Sequence, residues 1–506
     1  MKISRRSALG LLSLGGATLS YGYPGWAHST SKKHGTHSEP ARPLTIPALD
    51  SGVVKNGVRN FDLNMQKGVS QFFDGQDTLT YGINGTYLAP TLKMRDGETV
   101  RMNVKNNIGR ASTLHWHGMH LPARMDGGPH QVVENGASWS PEFEVKQNAS
   151  TFWYHSHMVP ETGFQVYHGL AGMIVVEDER AGNLGLPDTY GVDDIPLVLQ
   201  DRRFGPEGNF EYLTSMPDRV HGMKGGTLLV NGTVNPYFEA RSNTLRFRIL
   251  NGSNSRFYKL SFSDNRRFQQ IASDGGLLET PYETNNITLG PAERAEIIVD
   301  VSDGKPVMLQ STTPDQDGGG GMMGGGMSGG GMMMADMVSD FDVLEIRPDQ
   351  NRSKAMIIPP HLMTLAVPDP QVAVKTRTFT LGMGMGMGMM MGLSQEMTIN
   401  NKAMKLDRID VVARVGTSEV WVIDNPTPMP HPIHIHDVQF RILDRDGKPP
   451  HAGERGLKDT VVVNSRERVR VLLNFTDYTD PDRPYMYHCH ILEHEDAGMM
   501  GQFTVV

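Results

Sequence analysis

Near its C-terminus the chain reads Tyr487-His-Cys-His-Ile-Leu-Glu-His-Glu-Asp-Ala-Gly-Met499, and Cys489 within it is the only cysteine among 506 residues that include 19 histidines. A thiolate flanked by His488 and His490, with His494 five residues on and a thioether at Met499, supplies the soft and borderline ligands that copper prefers. Two His, one Cys and a weak axial Met form the blue, or type 1, electron-transfer site, and Cys489, His494 and Met499 are three of those four. The competing reading of a lone cysteine is a small buried hydrophobe.

In a strand, successive side chains point to opposite faces. If Cys489 holds a metal, His488 and His490 therefore serve a different centre, about ten ångströms away by side-chain reach. Three further pairs occur: His115-Trp-His117, His155-Ser-His157 and, in His431-Pro-Ile-His434-Ile-His436, His434 with His436. Together the four pairs offer eight histidines to one cluster, and His431 is left to complete the Cys489 set. One such pair is commonly a solvated loop; four, with the only cysteine inside one of them, are not explained that way.

On these motifs the chain resembles the multicopper oxidases, a family that includes laccases and bacterial periplasmic cuprous oxidases, over nearly all of its length. The resemblance implies four copper ions: a type 1 copper on His431, Cys489, His494 and Met499, a type 2 copper on His115 and His434, and a type 3 pair on His117, His155, His157, His436, His488 and His490. No ligand is missing, whereas related cell-division proteins keep the fold and lack the ligands. Asp126, in Met125-Asp126-Gly-Gly, and Glu495, beside His494, are similar to acids that deliver protons to the cluster in the family; the plainer reading of each is a turn or surface carboxylate. Oxygen is the implied acceptor, reduced by four electrons to water.

The donor is addressed by methionine. Of 32 Met, many lie in the Met/Gly-rich segments 318–337 and 382–392, the second including Met383, Met385 and Met387. Glycine neighbours leave no bulky core for these side chains to fill, and a Gly-rich stretch is a flexible loop or linker. Flexible thioethers suit Cu(I), which points to a copper-collecting flap; an inert linker, or a screen against large organic donors, fits the same composition. Met429, two residues before His431, adds to the Cu(I) reading. Metal-oxidising relatives place a carboxylate four residues before that histidine, where this chain has Thr427, so Asp424, or Asp336 and Asp340, are the candidates to replace it.

These residues must be positioned by strands. Three segments repeat: Ile83-Asn-Gly to Asn106, Val230-Asn-Gly to Asn251 and Ile399-Asn-Asn to Asn425, each an Asn turn followed by alternating apolar residues. Recurrence at this period predicts three copies of one β-sandwich unit. The expected fold is all-β, three consecutive cupredoxin-like Greek-key sandwiches at 44–180, 188–348 and 376–506. Aligning the first and third copies superimposes His115 and His117 on His434 and His436, and His155 and His157 on His488 and His490. The cluster is then expected between the outer units, with Ser156 standing where Cys489 stands and the second unit a metal-free spacer carrying segment 318–337.

Ser4-Arg5-Arg6-Ser7, the apolar stretch from Ala8 to Leu19 and the small residues up to Ala27 read as a cleavable twin-arginine export signal over 1–27, too short to span a bilayer. Residues 28–43 read as a linker, and the destination is the periplasm or another exported location. A formal net charge of −8 gives no basic footprint for nucleic acid. The expected protein is a monomer with no membrane span that oxidises Cu(I) and phenols and serves copper detoxification. The alternatives are a general laccase with incidental Met-rich loops and a non-catalytic copper-sequestering protein.

Overall fold

The computed structural model describes residues 39–314, 340–384 and 396–506. The expected export signal, segment 318–337, Asp336, Met385 and Met387 lie outside the described residues.

Six sheets stack as three facing pairs in chain order. The first pair joins a sheet built on Val58–Phe73, Gln76–Ile83 and Thr99–Asn107 to one running Thr91–Arg95, Ala171–Glu177, Ser150–His155, His115–His117. The second pair joins a sheet built on Asp194–Arg202 and Thr244–Asn251 to one built on Tyr258–Phe262 and Phe341–Ser353, and the third joins sheets built on Thr417–Asp424 and on Asp480–Cys489. Alternation sets each face: in Thr99–Asn107, Val100, Met102 and Val104 are fully buried while Arg101 and Lys105 face solvent. Each pair closes over its own apolar core, with Phe61, Val104 and Phe152 in the first, Phe247, Tyr258 and Ile297 in the second, and Trp421, Val471 and Phe503 in the third.

The repeat is visible atom by atom. Asn84, Asn231 and Asn400 all take left-handed backbone, at φ 57°, 51° and 53°, a conformation Asn tolerates better than most residues. Each side chain clasps the same neighbouring strand, accepting from the backbone N–H of Asn64, Val198 or Thr380 and donating to the carbonyl of Asp62, Pro196 or Thr378. At the far end Asn106, Asn251 and Asn425 each accept from the N–H two residues on and donate to Val133, Leu289 or Val463 across the sandwich.

The last residues of the expected linker are structural: Arg42–Pro43 pairs in parallel with Pro236 and Tyr237, and Leu44 packs into the second core. The longest described α-helices, Thr162–Tyr167 and Met216–His221, have six residues, and among the described residues no helix is long and apolar enough to cross a membrane.

Candidate metal centres

Strand Asp480–Cys489 lies antiparallel to His431–Ile435, with Cys489 opposite Ile433 and His488 opposite His434. Cys489 points into the third core, where its Sγ is 3.5 Å from His431 Nδ1 and 3.8 Å from His494 Nδ1. His494 is returned to the thiol by the short helix Leu492–Asp496. Met499, fully buried in the same core, accepts the Cys489 N–H on its carbonyl at 3.0 Å. The outer edges of both imidazoles are engaged. His431 Nε2 meets the Thr427 hydroxyl at 2.9 Å, and His494 Nε2 donates to the Val220 carbonyl, from the second sandwich, at 2.9 Å. With Nε2 carrying the hydrogen, each ring turns a lone pair on Nδ1 toward the sulfur.

On the opposite face of the same strand, His488 and His490 join the other three pairs. His115–His117 pairs with Ser150–His155 so that His115 lies opposite His155, repeating the His434–His488 register of the third sandwich. The two halves interleave: His117 stacks on His434 at 3.6 Å between ring centroids, and His115 on His436 at 4.0 Å. All eight rings are buried. Their nitrogens converge in three sets, His115 with His117 and His434, His117 with His155 and His490, and His157 with His436 and His488. In the last set His488 Nε2 is 3.3 Å from His157 Nε2 and 3.2 Å from His436 Nε2.

Carboxylates stand behind these rings. Glu495 reaches His157 Nδ1 and His488 Nδ1, each at 3.1 Å, and Asp126 Oδ2 reaches His436 Nδ1 at 2.8 Å. His436 is held from Nδ1 by Asp126, and His488 Nδ1 donates to the Cys489 carbonyl at 3.1 Å, so both turn Nε2 inward; the Glu495 oxygens lie near His157 Nδ1 without making a hydrogen bond. The Asp126 carbonyl also accepts from His115 Nδ1 at 2.8 Å. Gly127 makes this approach possible: at φ 77° it lies against the Leu114 carbonyl and the His115 backbone, where a Cβ has no room.

The donor set fits metal ions. Among the described residues no protein group pairs with His115 Nε2, His434 Nε2 or either nitrogen of His490, although all are buried; buried polar atoms without partners are uncommon and costly. Burial, reinforced by neighbouring histidines, holds His117, His155, His157, His434, His436 and His490 well below the usual imidazole range. Burial lowers His494 to about 4 and raises the Cys489 thiol. Neutral imidazoles with inward lone pairs are metal ligands, and a buried thiol surrounded by them ionises once a cation is present. Asp126, raised to about 6 by burial, sits closer to neutral pH than an exposed aspartate.

The candidate donor-side residues are less assembled. Met429 and Met383 are half-buried against the third core, Asp424 pairs with Arg468 at 3.3 Å, and Asp340 accepts the Thr313 N–H. Sequence reasoning missed Asp459, whose carboxylate meets His117 Nε2 at 3.1 Å and whose carbonyl accepts from His434 Nδ1 at 2.8 Å. It immediately precedes strand Thr460–Val463, which pairs with His431–Ile435, and no spacing in the sequence announces that pairing.

Two family profiles described as multicopper oxidase match residues 64–181 and 375–506. A multicopper oxidase of Staphylococcus aureus is 35% identical over 475 residues, 92% of this chain and 93% of that protein. The cell division protein FtsP of Proteus mirabilis is 33% identical over 94% of this chain and 95% of its own length. Among solved structures, a laccase-like multicopper oxidase, CueO, of Ochrobactrum sp. superimposes with a TM-score of 0.82 at 38% identity, covering 92% of this chain and all of that one. With its buried histidine and cysteine clusters on three cupredoxin-like sandwiches, the chain belongs to the multicopper oxidase family and is an oxidase that uses oxygen as acceptor.

Proposed function

We propose that this oxidase couples one-electron oxidation of Cu(I), and of phenols, to the four-electron reduction of oxygen to water, outside the cytoplasm and in the service of copper detoxification. In this reading His431, Cys489, His494 and Met499 hold the type 1 copper, His115 and His434 the type 2 copper, and the sets His117/His155/His490 and His157/His436/His488 one type 3 copper each. Bound copper supplies the reversible one-electron states that let single-electron donors serve a four-electron acceptor.

The observation that carries the reading is the tripeptide His488-Cys489-His490, whose thiol faces one ligand set while its two imidazoles face the other. Cys489 is the covalent bridge for electrons between the two centres. Asp126 and Glu495, whose carboxylate oxygens lie 2.8 Å and 3.1 Å from ring nitrogens of the cluster, relay protons to it. The methionines favour Cu(I) as donor. Thr427, a neutral hydroxyl on the His431 edge, favours the second reading, a laccase for phenols, and the Ochrobactrum relative is described as active towards lignin model compounds.

Oxygen uptake by the copper-loaded protein tests this, with a stabilised Cu(I) donor compared with a simple phenol and Cys489→Ser as control. Faster uptake with Cu(I) makes it a cuprous oxidase and faster uptake with phenol a laccase. Copper binding without uptake from either donor leaves only the sequestering reading.

A further inference from the structure

The second sandwich carries no ligand, yet it sends one side chain into the cluster's surroundings. Arg294 opens strand Arg294–Asp300 and is fully buried. Its guanidinium grips Asp459 of the third sandwich with both arms, Nη1 to Oδ1 at 2.8 Å and Nη2 to Oδ2 at 2.5 Å. It is anchored to the first sandwich through the Thr151 carbonyl at 3.0 Å, and to its own by the carbonyls of Ala292 and Asp274, each at 3.0 Å. Gly118 clears the space: a Cβ there would stand 3.0 Å from Nη2 and collide with Asp459 Oδ2.

Asp459 in turn faces two cluster histidines. Its Oδ1 is 3.1 Å from His117 Nε2, beside the Thr460 hydroxyl at 3.2 Å, and its carbonyl takes the His434 Nδ1 hydrogen at 2.8 Å. Bonded this way, His117 carries its hydrogen on Nε2 and turns Nδ1 inward, 3.4 Å from His155 Nε2. His434 carries its hydrogen on Nδ1 and turns Nε2 inward, unpaired among the described residues. The two stacked rings thus present opposite nitrogens to one centre. A fork fixing both carboxylate oxygens leaves Asp459 a single orientation, a geometry a lysine point charge does not impose.

We infer that Arg294 of the second sandwich is a positioning residue of the three-copper cluster, fixing through Asp459 which nitrogens His117 and His434 offer to copper. The inference rests on the copper assignment proposed above. Outer-shell partners of this kind are typically worth about 10- to 100-fold in metal affinity. The second unit is then part of the catalytic apparatus as well as a spacer.

The test uses the full copper-loaded chain, wild type beside Arg294→Met and Arg294→Lys. Three quantities are read: copper per chain, the type 2 copper resonance in electron paramagnetic spectra, and the blue absorption of the Cys489 centre, whose ligands touch none of Arg294's partners. The expected result is an intact blue band with cluster copper lost to a chelator about 10- to 100-fold faster, and Arg294→Lys recovering only part of the loss. Unchanged cluster copper and resonance in Arg294→Met would overturn the inference. So would loss of the blue band together with cluster copper in both variants, which assigns Arg294 to folding. A wild type with no cluster copper would instead overturn the copper assignment itself.

Discussion

Asp126 binds the cluster twice, its side chain against His436 and its carbonyl against His115. Asn at this position keeps the shape and the backbone contact but gives up the acid. Asp126→Asn is expected to slow steady-state oxygen uptake by about 10²- to 10⁴-fold, the usual worth of a positioned acid or base, with the blue band unchanged. A bleached band in that variant would make Asp126 structural. Thr427 works at the other centre. Its hydroxyl accepts from His431 Nε2 while bonded to Asn425 Oδ1 at 2.7 Å. A carboxylate there gives the ring more electron density and stabilises oxidised copper, so Thr427→Asp is expected to lower the type 1 potential by on the order of 60 mV, one tenfold step for a single electron. A redox titration of the blue band reads the shift, and a potential that rises refutes this role. The two clusters were legible in the sequence because alternation on a strand sends Cys489 to one face and His488 and His490 to the other. Asp459 and Arg294 were not, since acids and arginines are common and only the register of separate strands brings these two together.

At the scale of elements, one hairpin pattern was used twice and filled differently. In the third sandwich Cys489 faces His431; in the first, Ser156 faces Ser112 at 3.5 Å, and both hydroxyls donate to Gln165 Oε1 at 2.7 Å, so a hydrogen-bonded plug occupies the equivalent space. The repeated Asn turns made the three sandwiches legible, because each Asn satisfies a backbone need that recurs with the fold. How the outer sandwiches are clasped was hidden, because the residues involved carry no motif. His120 of the first is held between two acids of the third, Nδ1 2.8 Å from Asp437 and Nε2 2.7 Å from Asp477. Burial by itself lowers this imidazole, but the two carboxylates override it and raise it to about 9. A histidine raised in the folded state gives stability that is complete below its unfolded value of about 6.5 and is lost as pH climbs through about 9. Wild type should therefore be more stable to unfolding than His120→Gln at pH 6, by on the order of 3 kcal/mol, with the gap closing by pH 10. A gap independent of pH would show that the clasp acts through packing alone.

For the whole molecule the dominant fact is that burial lowers the titration of nine of the candidate ligand histidines and so favours their neutral form: His115, His117, His155, His157, His431, His434, His436, His490 and His494. Three sandwiches converge on this core, so the metal-free protein keeps its most densely packed junction only while those rings stay uncharged. The sign is opposite to that of the His120 clasp. Each ring has a folded value below its unfolded one, so unfolding takes up protons once pH falls below about 6.5, and stability is lost on the acid side. The limiting slope is about 1.4 kcal/mol per pH unit for each ring, and a few rings acting together match the stability of an ordinary domain. Copper changes the balance, because a metal on the inward lone pair excludes the proton and stabilises the folded state by mass action. The copper-free protein should lose its folded near-ultraviolet dichroism between pH 6.5 and pH 5, while the copper-loaded protein holds its signal to lower pH. Coincident acid transitions with and without copper would mean that the junction is held by its inter-sandwich ion pairs, Arg294 with Asp459 and Lys458 with Asp274, and owes little to the neutrality of its histidines.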